Sequence, residues 1–181
     1  MINGVKLLKY TDLMEKMLNK QIQITSVKKE KNKDGVIFEC DFVSEELVER
    51  KMFVNIDFLN HGRLDIKYRA VIDWGRCLSG ENGLTVAGNL SKKYRFIKCF
   101  IKEEANCVEG NEFFLVGEYD CLMRLGDQDL FEKAFEDITM IYCSTLSDCI
   151  DIEQKIFDKS DKEEKNLVEP DEINYNPNPF G

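Results

Sequence analysis

The sequence is poor in the residues on which metal and acid–base sites depend. Its 181 residues include one histidine, His61, which adjoins Gly62 in a predicted turn. No two cysteines form a Cys-x-x-Cys pair, and the seven cysteines lie at positions 40, 77, 99, 107, 121, 143 and 149. Because a structural zinc ion needs four closely grouped thiolate or imidazole ligands, we expect no metal site and no cofactor. Most of these cysteines lie in apolar patterns, which predicts reduced thiols in the core.

Long apolar runs and prolines are scarce as well. No window of about 18 apolar residues occurs, and the first residues lack the pattern of a signal peptide. We therefore expect a soluble cytoplasmic protein without a membrane partner. All three prolines fall in residues 158–181, together with seven acidic residues and three lysines. This composition predicts a flexible acidic tail that follows a single domain at residues 1–157.

Alternating apolar and polar residues predict an antiparallel sheet. Residues 21–27 and 36–43 alternate on either side of an Asp-Gly turn signal, which is typical of a tight hairpin. Residues 52–59 and 63–72 form a second predicted hairpin through the turn at His61. A third predicted hairpin pairs two later apolar segments, residues 96–101 and 112–119.

Three segments have helical periodicity. Residues 5–18 predict an amphipathic helix with a possible interruption at Thr11, and residues 84–94 predict a short middle helix. The longest pattern spans residues 129–157, where Asp129 and Glu132 have the spacing of a capping box. The predicted fold is therefore α+β, with an N-terminal helix, a short middle helix and a long C-terminal helix packed on an antiparallel sheet.

The long helix has two neighbouring apolar rows. One row consists of Leu130, Ala134, Ile138, Ile141, Thr145, Cys149, Ile152 and Ile156. The other consists of Phe131, Phe135, Tyr142 and Leu146. So wide an apolar surface can pack entirely on the chain's own sheet, or part of it can contact a partner or a second copy. We single out Tyr142, Leu146 and Cys149 as candidate partner contacts.

No catalytic signature accompanies these elements. The glycines that follow Trp74 have neither the spacing nor the context of a phosphate-binding loop, and a lone turn histidine lacks an orienting acid. We therefore predict no catalytic residue, although a pair of carboxylates distant in sequence remains an open alternative. The end of the chain, Asn178-Pro179-Phe180, resembles the tripeptide that EH domains recognise. An acidic tail ending near Pro-Phe also resembles that of single-stranded-DNA-binding proteins, so Phe180 is a candidate partner contact.

The order of elements in residues 84–101, 112–119 and 129–157 resembles the type III secretion chaperone fold, including its YbjN-like branch. The resemblance covers most of residues 5–157 and rests on element order and apolar pattern. Four predicted strands precede the middle helix, where that family has three. The resemblance implies a non-enzymatic, homodimeric module that holds a partner protein segment on its sheet or helix surface, and it transfers no functional residue. Independently of the resemblance, Trp74 is a further candidate partner contact.

The charge balance bears on the alternative function. The net charge is −9. Because an acidic surface repels phosphate backbones, this charge disfavours nucleic-acid binding. One local cluster is basic although the net charge is negative. It consists of Lys92, Lys93, Tyr94 and Arg95. The alternative hypothesis is a small nucleic-acid-processing accessory or single-stranded nucleic-acid-binding protein, in which this cluster acts with exposed aromatics such as Tyr68 or Trp74.

Overall fold

The computed structural model describes residues 4–32, 35–73, 81–106, 110–124 and 126–167. Within these ranges the chain forms three α-helices and six strands. Their order is α1 (Gly4–Leu18), β1 (Ile24–Lys31), β2 (Gly35–Val43), β3 (Glu49–Leu59), a short 3-10 turn (Asn60–Gly62), β4 (Arg63–Asp73), α2 (Glu81–Lys93), β5 (Lys98–Asn106), β6 (Gly110–Arg124) and α3 (Gln128–Leu167). This order confirms the predicted α+β class, including four strands before the middle helix.

The strands form one antiparallel sheet in the order β1-β2-β3-β4-β6-β5. All three predicted hairpins are confirmed, since β1 pairs with β2, β3 with β4, and β5 with β6. Two pairings remain. β2 pairs with β3, the next strand along the chain, and β4 pairs non-locally with β6, where Tyr68 lies opposite Tyr119. That pairing brings the last hairpin beside the middle of the chain and completes the sheet.

Gly35 begins β2 at a place where β3 approaches closely. A Cβ atom at this position would lie 1.8 Å from the carbonyl oxygen of Ile56, a distance that no side chain tolerates. The Asp-Gly signal thus marks a steric requirement as well as a turn. At the next hairpin His61 adopts a left-handed conformation with φ 62° and is exposed.

The helices cover one face of the sheet. Alternate residues of the central strands are fully buried there, for example Phe38 of β2, Val54 of β3 and Ile66 of β4. Helix α3 packs on β4 and β6, while α1 packs against α3 and β1. Helix α2 packs on β5. The core therefore lies between this face and the three helices.

The start of α3 differs from the predicted capping box. The Oδ1 atom of Asp127 accepts hydrogen bonds from the backbone N–H groups of Asp129 at 2.9 Å and Leu130 at 3.2 Å. Asp127 is therefore the N-cap, and the prediction that Asp129 caps the helix was wrong. Asp129 lies two residues after the cap, within the first turn of the helix, and its own N–H is already bound by Asp127.

The helices also run further than the sequence patterns predict. Helix α1 is continuous through Thr11, which is buried. Helix α3 has 40 residues, about 60 Å at 1.5 Å per residue, and ends at Leu167 instead of residue 157. The added segment lacks glycine and proline and places Asp158 four residues before Lys162, a spacing that supports a solvated helix. The later part of the predicted tail, residues 168–181, lies outside the described residues.

Candidate functional site

The face of the sheet opposite the helices is the first candidate site, and we call it the open face. The three described helices pack on the other side, so this face carries the alternate strand residues. It includes Ile37, Glu39, Asp41, Lys51, Phe53, Asn55, Lys67, Arg69, Val71, Phe114, Val116, Glu118 and Asp120. These side chains come from four adjacent strands, namely β2, β3, β4 and β6. Their shared direction follows from the two-residue period of each strand.

The centre of the open face is an apolar depression of about 500 Å³. Its apolar lining comes from four adjacent strands and consists of Ile37, Phe53, Val71, Phe114 and Val116. Val71 and Val116 lie directly opposite each other across β4 and β6. Phe53 and Ile37 are half-buried, so they form a shallow floor instead of a closed core. Such a depression can receive an apolar side chain from outside the chain.

On one side of the depression a lysine joins two carboxylates. Lys51 Nζ lies 2.8 Å from Glu39 Oε1 and also pairs with Asp41. Hydrogen bonds from Lys51 lower the pKa of both carboxyl groups, and the same bonds raise the pKa of Lys51. The carboxylates are therefore held in their charged form by a cross-strand neighbour.

On the other side, two ion pairs join β4 to β6. Arg69 Nε donates to Glu118 Oε2 at 2.8 Å, and the guanidinium makes a second contact to the same oxygen. Lys67 Nζ lies 3.6 Å from Asp120 Oδ1. The open face thus combines an apolar centre with charges that compensate each other. This arrangement favours contact with a neutral or mixed-charge segment over contact with a polyanion.

The candidate contacts Tyr142, Leu146 and Cys149 lie in the chain's own core. All three are fully buried in α3 and face the sheet. Tyr142 donates a hydrogen bond to the carbonyl oxygen of Gly117 at 3.0 Å, and its ring lies 4.9 Å from that of Tyr68 between centroids. These three residues are therefore not accessible to a partner in this form of the chain.

The basic cluster lies at the end of α2. Lys92, Lys93 and Arg95 are exposed, whereas Tyr94 is half-buried and packs against the core. Lys93 Nζ lies 5.0 Å from the centre of the Tyr94 ring, so this lysine already covers the aromatic group. Tyr68, the other described aromatic of this hypothesis, is fully buried and hydrogen-bonded to Thr139 at 2.8 Å. The cluster is therefore positively charged, but neither Tyr94 nor Tyr68 presents an uncovered ring on which a base could stack.

Two of the predicted contacts lie outside the described residues, namely Trp74 and Phe180. In the described ranges, no group of three or more histidine, cysteine, aspartate or glutamate side chains could hold a metal ion. The same part of the chain contains no helix long and apolar enough to cross a membrane.

A second candidate surface lies along α3. Leu130 is 70% exposed and Leu122, at the end of β6, is 68% exposed. Between them runs an apolar groove of about 440 Å³, lined chiefly by Leu122, Met123, Leu130, Phe131, Ala134 and Ile138. We call it the β6–α3 groove. The apolar row of α3 indicated the helical part of this surface. The part from β6 was not predicted, because β6 extends five residues past its predicted end and no alternation of apolar and polar residues indicated this extension.

A buried polar cluster fixes the loop after β2 to α3. Ser44 Oγ donates to Asp151 Oδ1 at 2.6 Å, and the backbone N–H of Glu45 donates to Ser147 Oγ at 2.8 Å. Ser147 Oγ lies 3.5 Å from Asp151 Oδ2. No imidazole or second acid joins this cluster among the described residues, so it acts as an anchor between two distant segments.

No protein-family model and no curated protein matches the sequence.

Proposed function

We propose that this chain is a non-enzymatic protein-binding module, chaperone-like or regulatory, that holds an extended segment of a partner protein on its open face. The observation that carries the proposal is the apolar depression around Phe53 and Val71, framed by ion pairs that neutralise one another. An extended peptide presents alternate side chains to one side, which fits a shallow floor built from four strands.

Binding over the face is favoured over the addition of a strand at an edge. The edge strand β1 exposes four consecutive charged residues, from Lys28 to Lys31, and charges of this kind protect an edge from pairing. At the other edge, the side chain of Ser91 in α2 hydrogen-bonds to the backbone at the start of β5. Its hydroxyl accepts from the N–H of Cys99 at 2.9 Å and donates to the carbonyl of Cys99 at 3.1 Å. Both edge strands thus offer fewer backbone groups for pairing with an added strand than their length suggests.

The resemblance to type III secretion chaperones is consistent with this proposal, because such proteins bind partner segments without catalysing a reaction. We expect the module to act in the cytoplasm, as the sequence predicts. The proposal does not depend on the family, since it follows from the lining and charge of the open face.

A displayed library of random peptides tests the proposal, with the immobilised full-length chain as bait. We expect enrichment of sequences with apolar residues at alternate positions. The affinity of an enriched peptide, measured by fluorescence anisotropy, should fall at least roughly tenfold in Phe53→Lys, because a charge would enter the apolar floor. Ile22→Lys is the matched control, since Ile22 is 92% exposed and is not among the residues that line the depression.

Two results would count against the proposal. One is a selection that yields no alternating apolar pattern. The other is an enriched peptide that binds Phe53→Lys as tightly as the original chain, while circular dichroism shows that the variant is folded.

The second candidate function is single-stranded nucleic-acid binding by the exposed Lys92, Lys93 and Arg95 cluster. It predicts salt-sensitive binding of oligonucleotides that is lost in Lys92→Glu/Lys93→Glu. The net charge of −9 and the covered ring of Tyr94 make it the weaker candidate. Tight oligonucleotide binding by the original chain would reverse this order.

A further inference from the structure

Two cysteine side chains meet in the core where β5, α2 and α3 come together. Cys99 lies at the start of β5, and Cys149 lies in the middle of α3. Their thiol groups hydrogen-bond to each other, and both cysteines are free. The two residues are distant in the sequence, so the fold has brought together a pair of thiols and not two isolated cysteines.

The sheet and α3 explain why the two thiols meet. Cys99 lies opposite Gly117 in the pairing of β5 with β6. Tyr142 of α3 donates its hydroxyl hydrogen bond to the carbonyl oxygen of the same Gly117. Cys149 follows Tyr142 after about two helical turns, which places both side chains on the same side of α3. Helix α3 therefore presents Cys149 on its sheet-facing side, next to β5.

The pair lies beside the end of α2. The hydroxyl of Ser91 is hydrogen-bonded to both the N–H and the carbonyl of Cys99, at 2.9 and 3.1 Å, which fixes the backbone that carries the thiol. The exposed Lys93 and Asp148 lie close enough to Cys149 to act electrostatically on its thiol. Cys99 retains 8% of its exposure, whereas Cys149 has none. A small reactant from solvent therefore reaches Cys99 first.

Cys99 also differs from the other described cysteines in its acidity. The hydrogen bond from Cys149 lowers the pKa of the Cys99 thiol, against the opposing effect of burial. The same bond raises the pKa of Cys149, which stays protonated. Burial raises the pKa of the other three, to about 12 in Cys40 and Cys143 and to about 11 in Cys121. Because the thiolate is the nucleophilic form, Cys99 is the member of the pair that reacts first.

We propose that Cys99 and Cys149 form a redox-modification site, in which a hydroperoxide oxidises the two thiols to a reversible disulfide. The Cys99 thiolate attacks the terminal peroxide oxygen, so that an S–O bond forms and the O–O bond breaks. The hydroperoxide takes up a proton and leaves as an alcohol, or as water when it is hydrogen peroxide, and Cys99 becomes a sulfenic acid.

Cys149 completes the reaction. Its sulfur attacks the sulfur of the Cys99 sulfenic acid, the S–S bond forms, and the hydroxyl group leaves with the Cys149 proton as water. Two electrons thus pass from the two thiols to the peroxide. A dithiol reverses the change, because it reduces the disulfide to two thiols and becomes a disulfide itself.

The disulfide would join β5 to α3 covalently and close a long loop between residues 99 and 149. A cross-link of this kind restricts the unfolded chain and so raises the stability of the folded one. The pair lies on the helix side of the sheet, and the open face takes no part in it. The redox site is thus independent of the proposed function, and either can fail without the other.

Peptide mapping of the full chain after treatment with hydrogen peroxide tests the site. The remaining thiols are alkylated, and tandem mass spectrometry assigns the linked sulfur atoms. We expect a Cys99–Cys149 link as the first and main product, and dithiothreitol should remove it. Met140 is 54% exposed and reports contact with the oxidant by forming its sulfoxide. Oxidised Met140 beside unchanged Cys99 and Cys149 thiols, or a main product that links Cys99 to another cysteine, would overturn the proposal.

Single substitutions separate the roles of the two thiols. Cys149→Ala should leave Cys99 as a sulfenic acid, which the 1,3-diketone dimedone traps, and Cys99→Ala should leave Cys149 as a thiol. Cys143→Ala is the matched control, because Cys143 is equally buried in α3 whereas the hydrogen bond of Cys99 is with Cys149. This control should still form the link. Oxidation of Cys149 at its original rate in Cys99→Ala would overturn the assigned order, with circular dichroism showing that the variant is folded.

Thermal denaturation measures the effect of the link on the whole chain. The oxidised chain should unfold at a temperature higher by roughly 5 °C or more, and dithiothreitol should abolish the shift. Peroxide should produce no such rise in Cys149→Ala. A mapped Cys99–Cys149 link that leaves the midpoint unchanged or lowers it would contradict the placement of the two thiols side by side in the folded chain.

Discussion

The hydroxyl of Tyr142 donates a hydrogen bond to the backbone carbonyl of Gly117, at 3.0 Å and in the fully buried core. This bond fixes which side of α3 meets the sheet. Tyr142→Phe should lower the free energy of unfolding by about 1 kcal/mol, because the bond is lost while the ring still packs. Tyr142→Ala should cost about 3–5 kcal/mol, since it also opens a cavity.

Urea denaturation followed by circular dichroism measures both changes. Ser144→Ala is the control, because Ser144 is exposed on the opposite side of the helix. An effect of Tyr142→Phe no larger than that of Ser144→Ala would show that the bond contributes nothing to stability.

Glycine positions offer a paired prediction. At Gly35 an added Cβ atom would lie 1.8 Å from the carbonyl oxygen of Ile56, so Gly35→Ala must displace β2 or β3. We expect a loss of about 2 kcal/mol or more in unfolding free energy, within the range of disruptive substitutions. At Gly88, in the middle of α2, no atom other than those of the adjoining residues and the nearby helix backbone lies within 4 Å of the added Cβ. Gly88→Ala should therefore stabilise the chain by roughly 0.5–1 kcal/mol through helix propensity.

Thermal denaturation of the two alanine variants checks this contrast under one set of conditions. Opposite signs are expected. A Gly35→Ala variant as stable as the original chain would contradict the close approach of β2 to β3, and a destabilised Gly88→Ala variant would contradict the open surroundings of Gly88.

The anchor between Ser44 and Asp151 should control the loop after β2. Asp151→Ala leaves the Ser44 hydroxyl without its acceptor and removes the buried link to α3, at a cost of about 1–3 kcal/mol. Hydrogen exchange at the amide of Glu45, which donates to Ser147, should accelerate more than exchange in the centre of β3. Uniform acceleration across the sheet would instead indicate global destabilisation. Ser144→Ala again serves as the control.

The ion pairs of the open face predict an acid-dependent stability. Hydrogen bonds from Lys51 lower the pKa of Glu39 and Asp41 below their unfolded values of about 4.3 and 3.9. A lowered pKa means that the contribution to stability is present above the unfolded pKa and is lost as the pH falls through the folded pKa. The difference in unfolding free energy between the original chain and Lys51→Met should therefore shrink as the pH falls below about 5.

Urea midpoints measured across this pH range provide the check. Lys16→Met, which removes an exposed lysine of α1, is the control for the general effect of charge. A difference for Lys51→Met that stays constant or grows as the pH falls would contradict the assigned pairs.

Local pattern predicted most of the fold because each strand buries one face. In β2, the alternation of Phe38, Glu39 and Cys40 gives the strand and its two faces directly. Within α3 the two apolar rows are equally apolar, so periodicity alone could not decide which row meets the sheet. The choice depends on Tyr142 reaching Gly117, a contact between residues 25 positions apart.

The candidate site depended on long-range pairing that local pattern does not contain. Arg69 and Glu118 meet because β6 inserts beside β4, and nothing near either residue indicates that partner. The cap of α3 was misassigned for a related reason, since Asp127 and Asp129 are chemically equivalent and only the helix start distinguishes them. An ion pair between residues distant in sequence, or an apolar floor built from several strands, can be identified only once the strand order is known.

Binding at the open face is tested most directly by a ¹⁵N-resolved NMR titration of the full chain with an enriched peptide. We expect the largest amide shift changes at Phe53, Val71 and Val116, with little change along α2 and α3. Changes centred on residues 92–95 or on α3, with the open face unaffected, would contradict it.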